Sequence, residues 1–202
     1  MTSKEKIIEA AVHEFSKGGY PGARVDNIAV KAGVNKAMIF YYFGSKEELY
    51  KIVIKKIVGE LFEVIKESGG LSTNLNPEVF FETFPENYIR FFSDNREYLK
   101  IIGTELIQNP ENLKRALQGF FNSETMLLPK NLRKLFEEWY EDGLITEPEP
   151  VHLFLNIISI CIFPIIARAI PETIFNLDLE NEKFIRERIV SVKNLLKRGI
   201  LK

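Results

Sequence analysis

Residues 25–49, VDNIAVKAGVNKAMIFYYFGSKEEL, constrain the fold of this chain more tightly than any other stretch, because they read as two short helices hinged on a glycine turn. Ile28 and Ala29 give the first helix a buried side, and Gly33 after Ala32 supplies the left-handed residue that stops it. Val34 plugs the turn. Asn35 caps the next helix, in which Ile39 and Phe43 stand four apart and so share one inward face. Lys36, Ala37, Phe40, Tyr41 and Tyr42 are thereby left outward. A cation, a small residue and aromatics at the leading end of a short helix suit the major groove of DNA.

The flanking sequence continues the helical pattern. Thr2 and Glu5 have capping-box spacing, and Ile8, Ala11, Val12 and Phe15 then recur at three and four residues until Gly18-Gly19, with Pro21-Gly22 expected to keep the connection non-helical. Ser45 and Glu48 form a second capping box, opening a long helix through Leu49, Val53, Ile57, Leu61 and Val64 that ends in a Gly-rich polar loop over 68–77. Beyond it the spacing predicts helices over 77–93, 95–108, 110–122, 129–142, 149–170 and 181–198, with a bend at Pro164. No segment alternates apolar and polar residues, so no sheet is expected and the fold class is all-α.

Several coupled pieces resemble the DNA-binding domain of the TetR family of helix-turn-helix regulators: FSKGGY at 15–20, Val25-Asp26-Asn27-Ile28-Ala29, Ala32-Gly33-Val34, Tyr41-Tyr42-Phe43 and Ser45-Lys46-Glu47-Glu48-Leu49. The resemblance covers the first quarter of the chain. It implies an N-terminal three-helix DNA-binding domain, residues 1–46, and a C-terminal helical bundle for effector binding and dimerisation, residues 47–202, with a helix over 45–66 joining them. It further implies a homodimer that represses by holding a double-stranded palindromic operator, released by a small apolar or amphipathic effector and using no cofactor; the lone cysteine makes a reducing cytoplasm the expected setting.

Within that framework Lys36 reaches base edges or phosphates from the first turn of the recognition helix, and Ala37 permits close approach. Outside it, Lys36 would be read as an ordinary solvated lysine. Asn35 stands at the same leading end. The resemblance assigns a phosphate contact to Tyr42, with Tyr41 beside it; two adjacent tyrosines on a helix cannot both face inward. Phe40 stands where the family commonly has tyrosine, which leaves thymine-methyl contact or core packing. Lys46 begins the long helix, where its charge and the helix dipole both attract a phosphate. Arg24 replaces the family's usual Ser or Thr cap and reads either as a phosphate contact or as a solvated arginine beside a lost cap.

An effector pocket is expected among Phe84, Tyr88, Phe91, Phe121, Met126, Trp139 and Phe163, although an aromatic stripe at helical spacing is more often core. The apolar helix 151–170 contributes Phe154, Ile158 and Ile162, and the last helix Phe184, Ile185, Ile189, Val192 and Leu196, to an expected four-helix dimer interface. The interruptions His152, Asn156, Ser159, Pro164 and Arg168 argue against a membrane span over 151–170.

Composition supports this without deciding it. With 46% apolar and 27% charged residues the chain belongs among globular proteins. Residues 1–66 carry eleven Lys and Arg against eight Asp and Glu, a net +3, while 67–202 carry sixteen against twenty, a net -4, so the basic end holds the recognition helix. The single cysteine, Cys161, excludes an intrachain disulfide, and the charges in MTSKEKIIEA make a secretory signal unexpected. The two histidines, His13 and His152, belong to different domains, no Cys/His/carboxylate spacing matches a metal site, and no phosphate loop or nucleophile elbow occurs, so no metal and no catalysis are expected. The rival readings are a helical protein-interaction module that does not bind DNA specifically and an enzyme with an acidic site.

Overall fold

The computed structural model describes residues 1–70, 75–108, 110–121 and 127–202, apart from the side chains of residues 70, 120, 121 and 127–130. Among the described residues the regular structure is helical, comprising eleven α-helices and one π-helical turn, with an isolated bridge between Ile145 and Leu201. The all-α reading holds. Contacts divide the chain into two compact units, Met1–Glu60 with Asn95–Phe120, and Leu61–Asp94 with Phe121–Lys202. That division differs from a cut at residue 46, because a later helix returns to pack on the N-terminal one.

In the first unit, α1 (Ser3–Gly22) opens on Thr2 and Glu5 with both reciprocal capping bonds made. Gly19 does turn the chain, at φ 62, but helical geometry resumes through Pro21-Gly22 where the sequence predicts a non-helical link. Glycine takes the positive φ without a Cβ penalty, and proline fits the first turn of a restarted helix. α2 (Val25–Ala32) and α3 (Lys36–Phe43) follow, then α4 (Lys46–Ile65), of which residues 46–60 belong to this unit. Only half of the second capping box forms: the Ser45 hydroxyl accepts the Glu48 N–H at 3.1 Å, while the Glu48 carboxylate pairs with Lys51 at 2.8 Å. Ile7, Ala11, Phe15, Ile28, Ile39, Phe43, Leu49 and Val53 form the core of this head.

α6 (Arg96–Gln108) and α7 (Pro110–Phe121) complete the first unit. α6 packs along α1, and three polar contacts tie it down. His13 of α1 meets Glu97, Lys56 of α4 donates to the Tyr98 hydroxyl at 2.6 Å, and the Tyr50 hydroxyl donates to Glu105 at 2.6 Å. Glu105 is only 3% exposed and its second oxygen has no partner among the described residues.

In the second unit, α4 runs on into a π-helical turn, Lys66–Gly70, where the sequence predicts that a loop over 68–77 ends it. Gly69 holds φ 88 there, and a Cβ on it would lie 2.7 Å from Leu75. α5 (Pro77–Asp94), α8 (Leu127–Glu141), α9 (Pro150–Ile166), α10 (Ala169–Phe175) and α11 (Glu182–Ile200) make up the rest. α11 and α9 both pack on α5, whose Phe80, Phe81, Phe84 and Phe92 are fully buried. Lys193 of α11 reaches Glu82 and Glu86 of α5 at 2.8 and 2.5 Å.

The helix expected over 149–170 is two. α9 passes through Pro164 and breaks only after Ile166, and α10 leaves it at 65°. Proline removes the N–H that would bond the carbonyl four residues back, here that of Ile160, and a helix survives this when another donor serves that carbonyl. Arg188 of α11 is that donor. Among the described residues no single helix is long and apolar enough to cross a membrane; α9 and α10 would qualify only as a bent pair.

Candidate nucleic-acid interface

The α2–α3 unit is built from local signals. Gly33 takes φ 67 and closes α2, its N–H bonding the Val30 carbonyl, while the Val34 N–H returns to Ala29 at 3.0 Å. Asn35 starts α3 by accepting the Ala37 N–H on its side-chain oxygen at 2.9 Å. Ile39 and Phe43 are buried beneath the helix. Its remaining face is free: Lys36, Ala37, Phe40, Tyr41 and Tyr42 are all exposed, Tyr41 most of all at 84%. Phe40 therefore does not pack into the core. The Tyr41 and Tyr42 rings sit edge to face, with centroids 5.3 Å apart, which orients both phenols.

Electrostatics distinguishes the two lysines. The Lys36 ammonium rests against Asp26 of α2, 2.8 Å from one carboxylate oxygen and 3.0 Å from the other. That hydrogen bond holds the Asp26 carboxyl below its ordinary range. Lys46 has no carboxylate within ion-pair distance among the described residues; it lies 4.7 Å over the face of Tyr20, and partial burial lowers its pKa. Tyr20 in turn meets Tyr50 at 5.1 Å, so Lys46 stands on an aromatic stack that continues to Glu105.

Arg24 is exposed and supplies no side-chain cap to α2. Glu14 of α1 takes over part of that work, accepting the Arg24 N–H at 3.3 Å and the Asn27 side-chain amide at 2.7 Å. The Asn27 bond chiefly holds the Glu14 carboxyl below its usual range. Asp26, Glu14 and Tyr20 have no pointer in the sequence, since each meets its partner across a turn rather than at helical spacing. Val30, 83% exposed on α2, joins the same surface class.

The expected pocket residues do not form one lining. Phe84, Tyr88 and Trp139 are buried in an aromatic cluster with Phe80, Phe136 and Phe154, with neighbouring centroids 5.1 to 6.2 Å apart, which is core packing. Phe91 is half-buried against Phe92. Phe163 is 60% exposed and does not turn toward the cluster. Met126 and the side chain of Phe121 lie outside the described residues.

The expected dimer residues also divide. Ile185, Ile189, Val192 and Leu196 turn into their own unit, on a helix that packs on α5, and are not available to a partner. Phe154, Ile158, Ile162 and Phe184 are half-buried. The outward apolar side chains are others: Val151, Leu155, Phe163 and Ile166 along α9, and Val190 and Leu195 on α11. Among the described residues no group of three or more His, Cys, Asp or Glu is placed to hold a metal ion.

Residues 7–53 match the sequence model of "Bacterial regulatory proteins, tetR family". Over 206 residues the chain is 28% identical to the HTH-type transcriptional repressor NicS of Pseudomonas putida, covering 98% of this chain and 92% of NicS. It is 25% identical over 198 residues to the HTH-type transcriptional regulator RutR of Escherichia coli O157:H7, covering 98% and 90%. The fold matches that of PfmR, a TetR family transcriptional regulator from Thermus thermophilus, with a TM-score of 0.71 at 21% identity over 96% of this chain and 97% of PfmR.

Proposed function

We propose, since the chain belongs to the TetR family of DNA-binding transcriptional regulators, that it works as a cytoplasmic homodimeric repressor of a palindromic operator. A small apolar or amphipathic effector, bound in the second unit, releases it. The family is non-enzymatic and the chain is not an enzyme. Carrying the reading is α3: Ile39 and Phe43 fix the helix from below, which leaves Lys36, Ala37, Phe40 and Tyr41 facing out at a helix start. Asn35 and Lys36 read base edges, Ala37 lets the helix approach, Phe40 meets a thymine methyl, and Tyr41, Tyr42, Lys46 and Arg24 hold phosphates.

Residues 1–46 are the reading head and 47–202 the effector-binding and dimerising part. Dimerisation uses the outward side of α9 and α11, where Val151, Leu155, Phe163, Val190 and Leu195 remain exposed, with Phe154, Ile158, Ile162 and Phe184 at its margin. That NicS is a repressor supports repression here. Effector binding acts on α4, which begins in the first unit and ends in the second, and changes the separation of the two α3 helices from the roughly 34 Å that half-sites one turn apart require.

Selection of genomic fragments bound by the full-length protein tests this reading. The expected product is a palindrome with half-sites one helical turn apart. Recovery of fragments without a shared palindrome would instead favour a helical protein-interaction module.

A further inference from the structure

Gly19 interrupts α1 with φ 62, so Tyr20 leaves the register of the helix before it. Two buried rings of the first unit then hold it. Phe15 stacks with Tyr20 at 22° and 6.4 Å, and Tyr50 meets it at 5.1 Å. Tyr50 is secured in turn by the edge of Phe15 at 4.7 Å and by its hydroxyl bond to Glu105 of α6. Yet Tyr20 itself stays 36% exposed, and the Lys46 ammonium lies 4.7 Å over its ring. The ring is thus fixed from the core side and occupied by a cation at the surface.

The acids around Lys46 are engaged elsewhere. Glu47 and Glu48, which follow it on α4, both turn to Lys51, at 2.7 and 2.8 Å. Glu14, whose charge also acts on Lys46, accepts the Arg24 N–H and the Asn27 amide. A carboxylate such as Asp26, which holds Lys36, has to be displaced before its lysine can take a phosphate. An aromatic face differs: its quadrupole attracts an ammonium without neutralising it, and the whole charge stays available to an incoming anion. It also restricts the flexible lysine stem beforehand, so less freedom is lost when the phosphate is bound.

We propose that Tyr20 is a positioning residue for DNA, its ring holding the Lys46 ammonium at the start of α4 where a backbone phosphate is bound. The proposal rests on the regulator reading for the phosphate, while the ring contact is a property of the protein without DNA. Phosphate contacts carry no sequence information, so Tyr20 sets affinity and leaves discrimination to α3.

Anisotropy titration of the full-length protein on the selected operator and on a scrambled duplex, at one salt concentration, tests the role. Tyr20→Leu should weaken both duplexes alike by about threefold per subunit, the scale of one partly exposed cation–ring contact, and Tyr20→Phe, which keeps the ring, should restore the affinity. In a Lys46→Ala background Tyr20→Leu should change affinity by less than about twofold, because the two residues act as one unit. An equal loss with and without Lys46 overturns the proposal and makes Tyr20 a support of the head only. A loss in Tyr20→Phe as large as in Tyr20→Leu also overturns it, since the hydroxyl rather than the ring would then carry the effect. The NMR signals of the Lys46 ε-methylene in the free protein report the contact itself: they should lie upfield, under the ring current, and return to ordinary lysine positions in Tyr20→Leu. Unshifted signals in the wild type sink the ring contact whatever the DNA titration gives. Upfield signals in a protein that holds no duplex would instead refute the regulator reading, and the positioning role with it, while the contact stands.

Discussion

Lys36 in the first unit and Arg188 in the second are cations in opposite predicaments. Lys36 is about half exposed and carries its own counter-ion, Asp26, which is itself well solvated. Arg188 is partly buried, donates to the Ile160 carbonyl and has no carboxylate partner among the described residues. An exposed pair is worth little and is exchanged readily for another anion, whereas a partly buried guanidinium bonded to a backbone carbonyl is tied to the packing of the helices around it. The two cations therefore stand in different settings, Lys36 on an open helix face and Arg188 between α9 and α11.

The comparison breaks most visibly where the head loses the packing that presents Lys36. Phe43→Ala removes a buried ring under α3 and should cost about 3–5 kcal/mol in chemical denaturation, with operator binding lost alongside. Next in size is Tyr50→Phe. It strips from Glu105, buried at 3% exposure, the one donor found among the described residues, and should cost about 2 kcal/mol or more by the same assay, because a buried carboxyl then loses that partner.

Changes at the exposed cations should be smaller and act on DNA rather than on stability. Lys36→Ala should reduce the ratio of operator to random-duplex affinity by about tenfold, the scale of one bidentate base contact, whereas Lys46→Ala should weaken both duplexes alike and lower the salt slope by about 1 per subunit. Asp26→Asn sharpens the contrast from the other side. Freed from its partner, Lys36 should bind any duplex up to about twofold better, so that the operator ratio falls while thermal stability stays put.

Acid titration gives the smallest effect. Glu82 and Glu86 are held below the ordinary glutamate range chiefly by Lys193, so their contribution is fully present above that range and is lost as pH falls through the lowered folded values. Both carboxylates are well exposed, and Lys193→Ala should therefore flatten the acid side of the stability profile by no more than about 1 kcal/mol.

The head is legible in the sequence because its determinants are local. Asn35, Gly33 and the four-residue interval between Ile39 and Phe43 each act within one turn of chain, and each appears where the pattern puts it. What the pattern cannot show is contact between distant residues, such as Asp26 with Lys36 or Tyr20 beneath Lys46. In the second unit the stripe Ile185, Ile189, Val192, Leu196 reads in the sequence as a surface for a partner, and that expectation fails. Periodicity says that a face is covered and not what covers it, and here α5 does. Arg188 flanks that stripe, three residues after Ile185, and a charge beside a buried register is the signal that could have found its bond to Ile160. Pro164 reads as a bend; its consequence is the unbonded Ile160 carbonyl that Arg188 serves.

The claim on which the rest stands is that α3 reads sequence through Lys36. Its most direct test is an anisotropy titration of wild-type protein and Lys36→Ala on the selected operator and on a scrambled duplex, at one fixed salt concentration. The account predicts that the wild type separates the two duplexes by about three orders of magnitude or more, and that the variant gives up about tenfold of that ratio. Equal affinities for both duplexes in the wild type, or an unchanged ratio in the variant, would contradict it.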